Sequence, residues 1–265
     1  MISLLKHYPL ATQFIKRNIQ QSHKGSLLGN FWMLLSPLIM FSIYAIVFGK
    51  IFNGRYNAIE NETSADYALG IFLSLTIFRL IAEIITQSPV LIVNQPNFVK
   101  KVVFPLEILS ISLIGASIYN FLITMMLVFV GIIFWGNGLH VTAFWLPVLL
   151  LPMFLFLLGT SWLLSALGVF LRDIAKLMDN FSIVLMYSSA VFFSTAMIKD
   201  YSILVWNIIK WNPIIHFIDV ARNIMLWNRS PTNHQLIYMY VSSFLIFIVG
   251  YWVFVKLKPN FADVL

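Results

Sequence analysis

Six long, predominantly apolar runs dominate the chain and leave it few ways to fold. They occupy 31–52, 67–88, 108–135, 141–171, 177–198 and 236–255. A helix rises ~1.5 Å per residue, so roughly 20 apolar residues cross ~30 Å of hydrocarbon. Inside a bilayer every backbone polar group must find a partner without water, which leaves helices or closed barrels. Runs without polar alternation select helices. Composition agrees, with 60% of the 265 residues hydrophobic and 10% charged, against about 45–50% and about 25% in soluble domains. Mean hydropathy is +0.88. The sequence predicts an all-α integral membrane protein with six transmembrane helices, one domain over 1–265. The runs 108–135 and 141–171 are longer than needed and call for tilt or extension beyond the bilayer.

The charges orient the chain and narrow its chemistry. Seventeen Lys and Arg against ten Asp and Glu give a net charge of +7. The basic residues sit in short clusters between apolar runs, where they set topology rather than bind nucleic acid. With the N-terminus inside, Lys6, Lys16, Arg17, Lys24, Lys100, Lys101, Arg172, Lys176, Lys256 and Lys258 face the cytoplasm. Only Arg55, Lys199, Lys210, Arg222 and Arg229 then face outward, ten against five. Both termini are therefore predicted to be cytoplasmic. The absence of cysteine removes disulfides, thiolate metal sites and cysteine nucleophiles. Residues 1–30 lack the early apolar core of a cleavable signal. His7, His23, His140, His216 and His234 show no metal-ligand spacing. No nucleophile elbow, zinc-protease helix or phosphate-binding Walker A loop is present. The expectation is a chain with no catalytic site, no metal and no bound cofactor.

Three polar stretches interrupt this pattern. In 1–30, Leu4, Leu5, Tyr8, Ala11, Phe14, Ile15 and Ile19 recur at helical spacing, opposite Lys16, Arg17 and Gln20. That pattern reads as an interfacial amphipathic helix, the alternative being a targeting or solvated tail. Residues 94–107 form a basic island between two spans, a natural cytoplasmic hinge for another protein to push. Residues 201–233 are apolar and aromatic but are broken by Asn207, Lys210, Asn212, Pro213, Asp219, Arg222 and Asn228. Asn212 has the chemistry of an N-cap and Pro213 that of a first helical position. The pieces 200–211 and 213–227 are too short to span. They read as two re-entrant half-helices with Trp206, Trp211 and Trp227 near the headgroups, or as an outer loop lying on the surface.

Within the spans little ionises. Arg79 and Glu83 stand four residues apart on one helical face. An unpaired charge at mid-bilayer costs ~2.5–3.5 kcal/mol on insertion scales, so they form either a structural pair or a polar point on a path. Tyr44 and Tyr119 lie inside spans, where a hydroxyl seeks a polar partner or water. Their rings offer flat faces for sugar C–H groups, which makes them candidates for lining a translocation path.

Several motifs carry a resemblance. The first is Lys24-Gly-Ser-Leu-Leu-Gly-Asn-Phe-Trp32, followed by Leu35-Ser-Pro-Leu38 and Tyr44-Ala-Ile-Val-Phe48. Then come Asn94 to Glu107 with its Lys-Lys and Phe-Pro-Leu-Glu, Phe170-Leu-Arg-Asp-Ile174, Asn212-Pro213 with Arg222, and Lys258-Pro-Asn-Phe-Ala-Asp263. In this order, over nearly the whole chain, they resemble the permeases of polysaccharide-exporting ABC transporters, which export O-antigen, capsule or teichoic acid. The resemblance implies a homodimer with two copies of a cytoplasmic ABC ATPase subunit, which would hold the ATP and magnesium. It implies a bacterial cytoplasmic (inner) membrane location and an undecaprenyl-pyrophosphate-linked polysaccharide as cargo. It also implies a coupling helix after the second span and two short outer gate helices before the sixth.

Carried over by position, Asn94, Phe98, Lys100 and Lys101 would contact the ATPase. Arg172 and Asp173 would form a second cytoplasmic turn that contacts it or merely caps a helix and sets topology. Lys16 and Arg17 would meet the carrier pyrophosphate or anionic lipid headgroups. Trp206, Trp211, Asn212, Pro213 and Arg222 would build the outer gate. Arg79 departs from the resemblance, standing where an aromatic or apolar residue is usual. An ion-driven lipid or glycolipid flippase, or an ABC permease for a small molecule, remain the alternatives; the flippase would need ionisable groups near the midplane.

Overall fold

The computed structural model describes residues 8–22, 29–51, 54–56, 62–100, 104–136 and 138–265, and no strand occurs among them. Helix α1 is Tyr8–Ser22. Helix α2 runs Trp32–Tyr44 and widens into π-helical turns over Ala45–Ile51. Helix α3, Ser64–Gln87, ends in a 3-10 turn at Ser88–Val90, and α4 is the short Pro96–Lys100. Helix α5 is Glu107–Trp135 and α6 is Leu146–Phe170, the latter entered through a 3-10 turn at Val141–Trp145. Then follow α7, Ile174–Ser188, α8, Thr195–Tyr201, α9, Ile203–Ile209, and α10, Pro213–Leu226. Helix α11 is Asn233–Leu257 and α12 is Phe261–Val264.

Five helices among the described residues are long and apolar enough to cross a membrane: Trp32–Ile51, Ser64–Val90, Glu107–Trp135, Val141–Phe170 and Asn233–Val264. The predicted span 177–198 is not one helix. Helix α7 stops at Ser188 after 15 residues, about 22 Å at ~1.5 Å each. Ala190 then takes a left-handed backbone at φ 55°, which turns the chain out of the helix. The broken backbone is not left without partners. Tyr56 Oη donates to the Val191 carbonyl at 2.9 Å, Tyr67 Oη to that of Phe192 at 3.1 Å, and Arg222 Nη1 to that of Phe193 at 3.2 Å. Three side chains from three elements thus replace the helical partners that an apolar environment demands.

Helix α3 is the axis of the bundle, buried from Asp66 to Ile85 except along the stripe of Leu75, Arg79, Ala82 and Glu83. Its start is held by a capping box, in which Thr63 Oγ1 accepts from Asp66 N at 3.2 Å and Asp66 Oδ2 accepts from Thr63 N at 3.0 Å. Helices α5, α6, α10 and α2 pack around it. Helices α6 and α11 touch backbone to backbone, because a Cβ on Gly159 would collide with Ile246 and one on Gly250 with Gly159 itself. Small residues give membrane helices this close approach, which substitutes dispersion contacts for a hydrophobic drive. Ser88 Oγ donates to Ser161 Oγ at 2.9 Å in the buried seam between α3 and α6.

For the second of the two half-helices expected in 201–233, helix α10 rules out the alternative of a loop lying on the surface. Ile214, Ile215, Phe217, Ile218, Val220, Ala221, Ile224 and Met225 are all buried, so it lies inside the bundle against α3, α6 and α11. Asn212 Oδ1 caps it, accepting from Ile214 N at 3.0 Å, with Pro213 at the first helical position as expected. The expected half-helix 200–211 is itself broken at Ser202 into α8 and α9, each seven residues long. Ser202 accepts from Val205 N at 3.4 Å and so starts the second piece.

Candidate functional site

The described chain gathers its polar and aromatic side chains at three places. At one end, here called basal, lie α1, α4, α12 and the start of α5. Ile15 of α1 nests over Gly115 of α5, where any Cβ would strike its side chain. Asn18 Nδ2 donates to Ser112 Oγ at 3.3 Å. Phe14, Phe98 and Phe104 form a triangle with centroids 5.5, 5.2 and 4.7 Å apart. Phe98 therefore ties α4 to α1 rather than pointing freely outward, whereas Asn94 and Lys100 are exposed. Lys101 lies outside the described residues, as do Leu4, Leu5, Lys6 and residues 24–28.

Arg172 and Asp173 are exposed at the turn into α7, and the Asp173 side chain makes no capping hydrogen bond. Lys16 is exposed, while the Arg17 guanidinium lies 4.4 Å over the Phe14 ring. A clamp that sequence reasoning missed closes this end. Lys258 Nζ donates to both Glu107 carboxylate oxygens, at 2.7 and 2.9 Å. Phe261, fully buried, then packs between Phe170 and Phe254, with centroids 6.0 and 5.7 Å away.

The second place is a cleft of about 560 Å³ between α2, α3 and α5. Arg79, Glu83, Thr76, Thr86 and Gln87 of α3 line it opposite Ser117, Asn120 and Thr124 of α5, with Trp32 and Ser36 of α2 at its side. The anticipated Arg79–Glu83 pair is absent: among the described residues the ion pairs within 4.0 Å are Arg222–Asp219 and Lys258–Glu107. Glu83 Oε1 accepts instead from Gln87 Nε2 at 3.5 Å. Tyr44 and Tyr119 do not line the cleft. The Tyr44 ring sits 6.0 Å from Phe48, whose ring stacks on Phe192 at 5.5 Å. Tyr119 is exposed.

The third place is the opposite, apical end. Arg222 is 0% exposed, although the sequence counted it among outward charges. Its guanidinium lies 4.5 Å over the Tyr56 ring and 5.8 Å from that of Trp227, and Nη2 stands 3.7 Å from Asp219 Oδ1. Tyr56 N donates to Glu62 Oε1 at 2.7 Å. Burial pushes the Tyr56 phenol up, with the Arg222 charge pulling the other way. Trp206 and Trp211 stand beside a pocket next to this box, and Trp211 is 67% exposed. His216 faces the same pocket and bonds through Nε2 to the Lys210 carbonyl oxygen at 2.8 Å. Burial pushes its imidazole down, partly offset by that hydrogen bond and by Asp219.

Arg222 was legible as a candidate from sequence, and Asp219 stands at i,i+3 from it on the same helix, but Tyr56 and Glu62, far along the chain, were not. No spacing rule links positions so far apart.

Known proteins share this chain's sequence pattern. The model of the ABC-2 type transporter family matches residues 10–226. The O-antigen export system permease protein RfbA of Klebsiella pneumoniae is 24% identical over 264 residues, covering 97% of this chain and 95% of that protein. A protein of the same name from Myxococcus xanthus is 21% identical over 262 residues, covering 98% of this chain and 96% of its own length.

Proposed function

Because this chain belongs to the ABC-2 type transporter family, we propose that it is the membrane permease of an exporter for a lipid-linked polysaccharide. ATP hydrolysis in a separate nucleotide-binding subunit drives it. The observation that carries this reading is the end-to-end match to O-antigen export permeases, over 97% of this chain and 95% of the Klebsiella protein. The working unit is a homodimer with two ATPase subunits in the bacterial inner membrane. The cargo is glycan on an undecaprenyl-pyrophosphate carrier.

The geometry supports roles for the three places. The basal end faces the cytoplasm and receives the ATPase through the exposed Asn94, Lys100, Arg172 and Asp173, and Lys101 is proposed to contribute its charge to the same contact. Phe98 transmits motion from α4 to α1 through the phenylalanine triangle. Lys16 and Arg17 hold lipid phosphate at this face, where each basic residue is worth ~1 kcal/mol near an anionic surface. The polar cleft carrying Arg79 and Glu83 lines the path. The apical box, with Trp206, Trp211, Asn212, Pro213 and Arg222, forms the outer gate.

A sixth crossing is made by α7 together with the non-helical 189–193. Its start follows α6 directly at the basal end, and its last carbonyls are held by Tyr56 and Tyr67 at the apical end. The test is gentle purification of tagged protein from its native host after crosslinking, with mass spectrometry and an ATPase assay. Recovery of a stoichiometric ATP-binding subunit, and loss of surface glycan on deletion of this chain, are the expected results. Recovery of the permease alone, with surface glycan unchanged, overturns the reading.

A further inference from the structure

The apical pocket, about 510 Å³ in volume, has chemistry that a gate alone does not require. It is walled by α8, α9 and the starts of α10 and α11, and two indoles carry its rim. The Lys199 ammonium rests 4.5 Å from the Trp206 ring centroid, and that of Lys210 is 5.7 Å from the Trp211 centroid. Stacking on indole holds a lysine in place yet leaves its N–H donors available. Lys210 commits one donor to Asn207 Oδ1 at 2.9 Å.

The floor is Asp219, 7% exposed, whose position is set by three hydrogen-bond donors and by the Arg222 guanidinium 3.7 Å from Oδ1. Thr195 Oγ1 donates to Oδ1 at 3.1 Å, while Asn223 Nδ2 and Gln235 Nε2 donate to Oδ2 at 3.2 and 3.4 Å. Both Oδ2 lone pairs are taken, so one acceptor position on Oδ1, already held in place, is left for a ligand hydroxyl. The site therefore presents flat aromatic faces, a fixed hydroxyl acceptor and two ammoniums on its rim. Flat rings fit the C–H face of a pyranose, the acceptor fits its hydroxyls, and the ammoniums fit an attached acid. A bare phosphate would use only the ammoniums.

We propose that this pocket binds one sugar ring carrying an acidic group, of the uronate type, at the outer exit of the bundle. The proposal deepens the exporter reading and rests on it for the source of the sugar, an emerging unit of the transported glycan. Binding itself needs neither ATP nor the partner subunit, so failure here is separable from failure of the export test.

The experiment is isothermal titration of the purified full chain in phosphatidylcholine nanodiscs, free of sugar-based detergent. Galacturonate, galactose and inorganic phosphate are the probes. Galacturonate is expected to bind about tenfold tighter than galactose, the worth of one charge-assisted hydrogen bond. Inorganic phosphate at equal concentration is expected not to displace it. Lys199→Gln combined with Lys210→Gln should bring galacturonate down to the galactose level. Trp211→Leu should weaken both sugars, with unchanged melting of each variant showing that it folds. Displacement by phosphate overturns the proposal in favour of a simple anion or lipid-phosphate site. Equal binding of the two sugars, or no heat from either, overturns it as well.

Discussion

Replacing Arg222 by Met tests whether the apical box is held by a buried charge or only by packing. The substitution keeps length and apolar bulk while deleting the guanidinium. Four interactions go with it: the donor to Phe193 at 3.2 Å, the charge 3.7 Å from Asp219, and the cation 4.5 Å over Tyr56 and 5.8 Å from Trp227. Singly, such terms run ~1.5–3 kcal/mol for a charged hydrogen bond and ~2 kcal/mol for a desolvated cation–π contact. They overlap, and the dominant loss is the Asp219 carboxylate left buried without its cation. One-sided removal of a buried pair costs roughly 3–5 kcal/mol, which is the expected total.

The assay is thermal unfolding in nanodiscs, followed by intrinsic fluorescence. At ~2–4 °C per kcal/mol for a chain of this size, Arg222→Met should lower the midpoint by roughly 6–20 °C. Adding Asp219→Asn removes the orphaned charge, keeps an oxygen for Thr195, and should restore about half of the loss. A single variant melting within about 2 °C of the parent refutes the reasoning, because that is under ~1 kcal/mol. So does a double variant no better than the single.

The other expectations concern the remaining sites. Burial depresses the His216 pKa from 6.5, so the folded state favours neutral imidazole. Its stabilising contribution is complete above pH 6.5 and is lost as pH falls through the lower folded value. Acidification from about pH 7.5 to about 5 should therefore lower the melting point less in His216→Gln than in the parent, with Asp219, His234 and Lys199 unchanged around it; an equal drop would show that another group titrates. Gly159→Ala places a methyl against the Ile246 backbone and should cost ~1–3 kcal/mol, read as a lower melting point and less monodisperse protein. Arg79→Gln has no ion pair to lose and should leave stability within ~0.5 kcal/mol while reducing glycan export; a large stability loss with normal export would reassign Arg79 to packing. Lys100→Glu with Lys101→Glu should abolish ATP-driven export without changing insertion or melting, and full export by that variant would refute α4 as the coupling site.

The helical class, the five retained spans and the N-cap at Asn212 were all legible, because periodicity, apolar length and capping chemistry are local. The break at 189–194 was not. Val191, Phe192 and Phe193 continue an apolar run, and nothing in them signals that Tyr56, Tyr67 and Arg222 will take over their carbonyls. The Lys258–Glu107 clamp and the Phe14–Phe98–Phe104 triangle escaped for the same reason, since their partners meet only when the bundle closes. For Arg79 and Glu83 the sequence left a pair and a polar point on a path both open. Helical spacing put them on one face, and the structure does place both on the cleft. Spacing does not decide whether two long side chains meet. Arg222 shows the limit of counting charges, because a residue scored as an outward cation is the largest fully buried side chain in the described chain.

Helix α3 explains how the two ends are able to act together on the proposed reading. At its basal end the Ser88–Val90 turn is locked to α6, since Gly168 sits so close to Pro89 that a Cβ there would collide. At its apical end Tyr67, on the first turn, holds the Phe192 carbonyl. Between these points the helix is buried on nearly all sides, and closely packed interiors shift as units rather than deform continuously. A displacement delivered at α4 therefore reaches the Phe192 carbonyl through one rigid element. The same element carries Arg79 and Glu83, so the cleft changes shape in the same movement that loads or releases the apical box. Coupling by this route requires no chain of small rearrangements. It requires only that α3 keep its packing while the contacts at its two ends exchange.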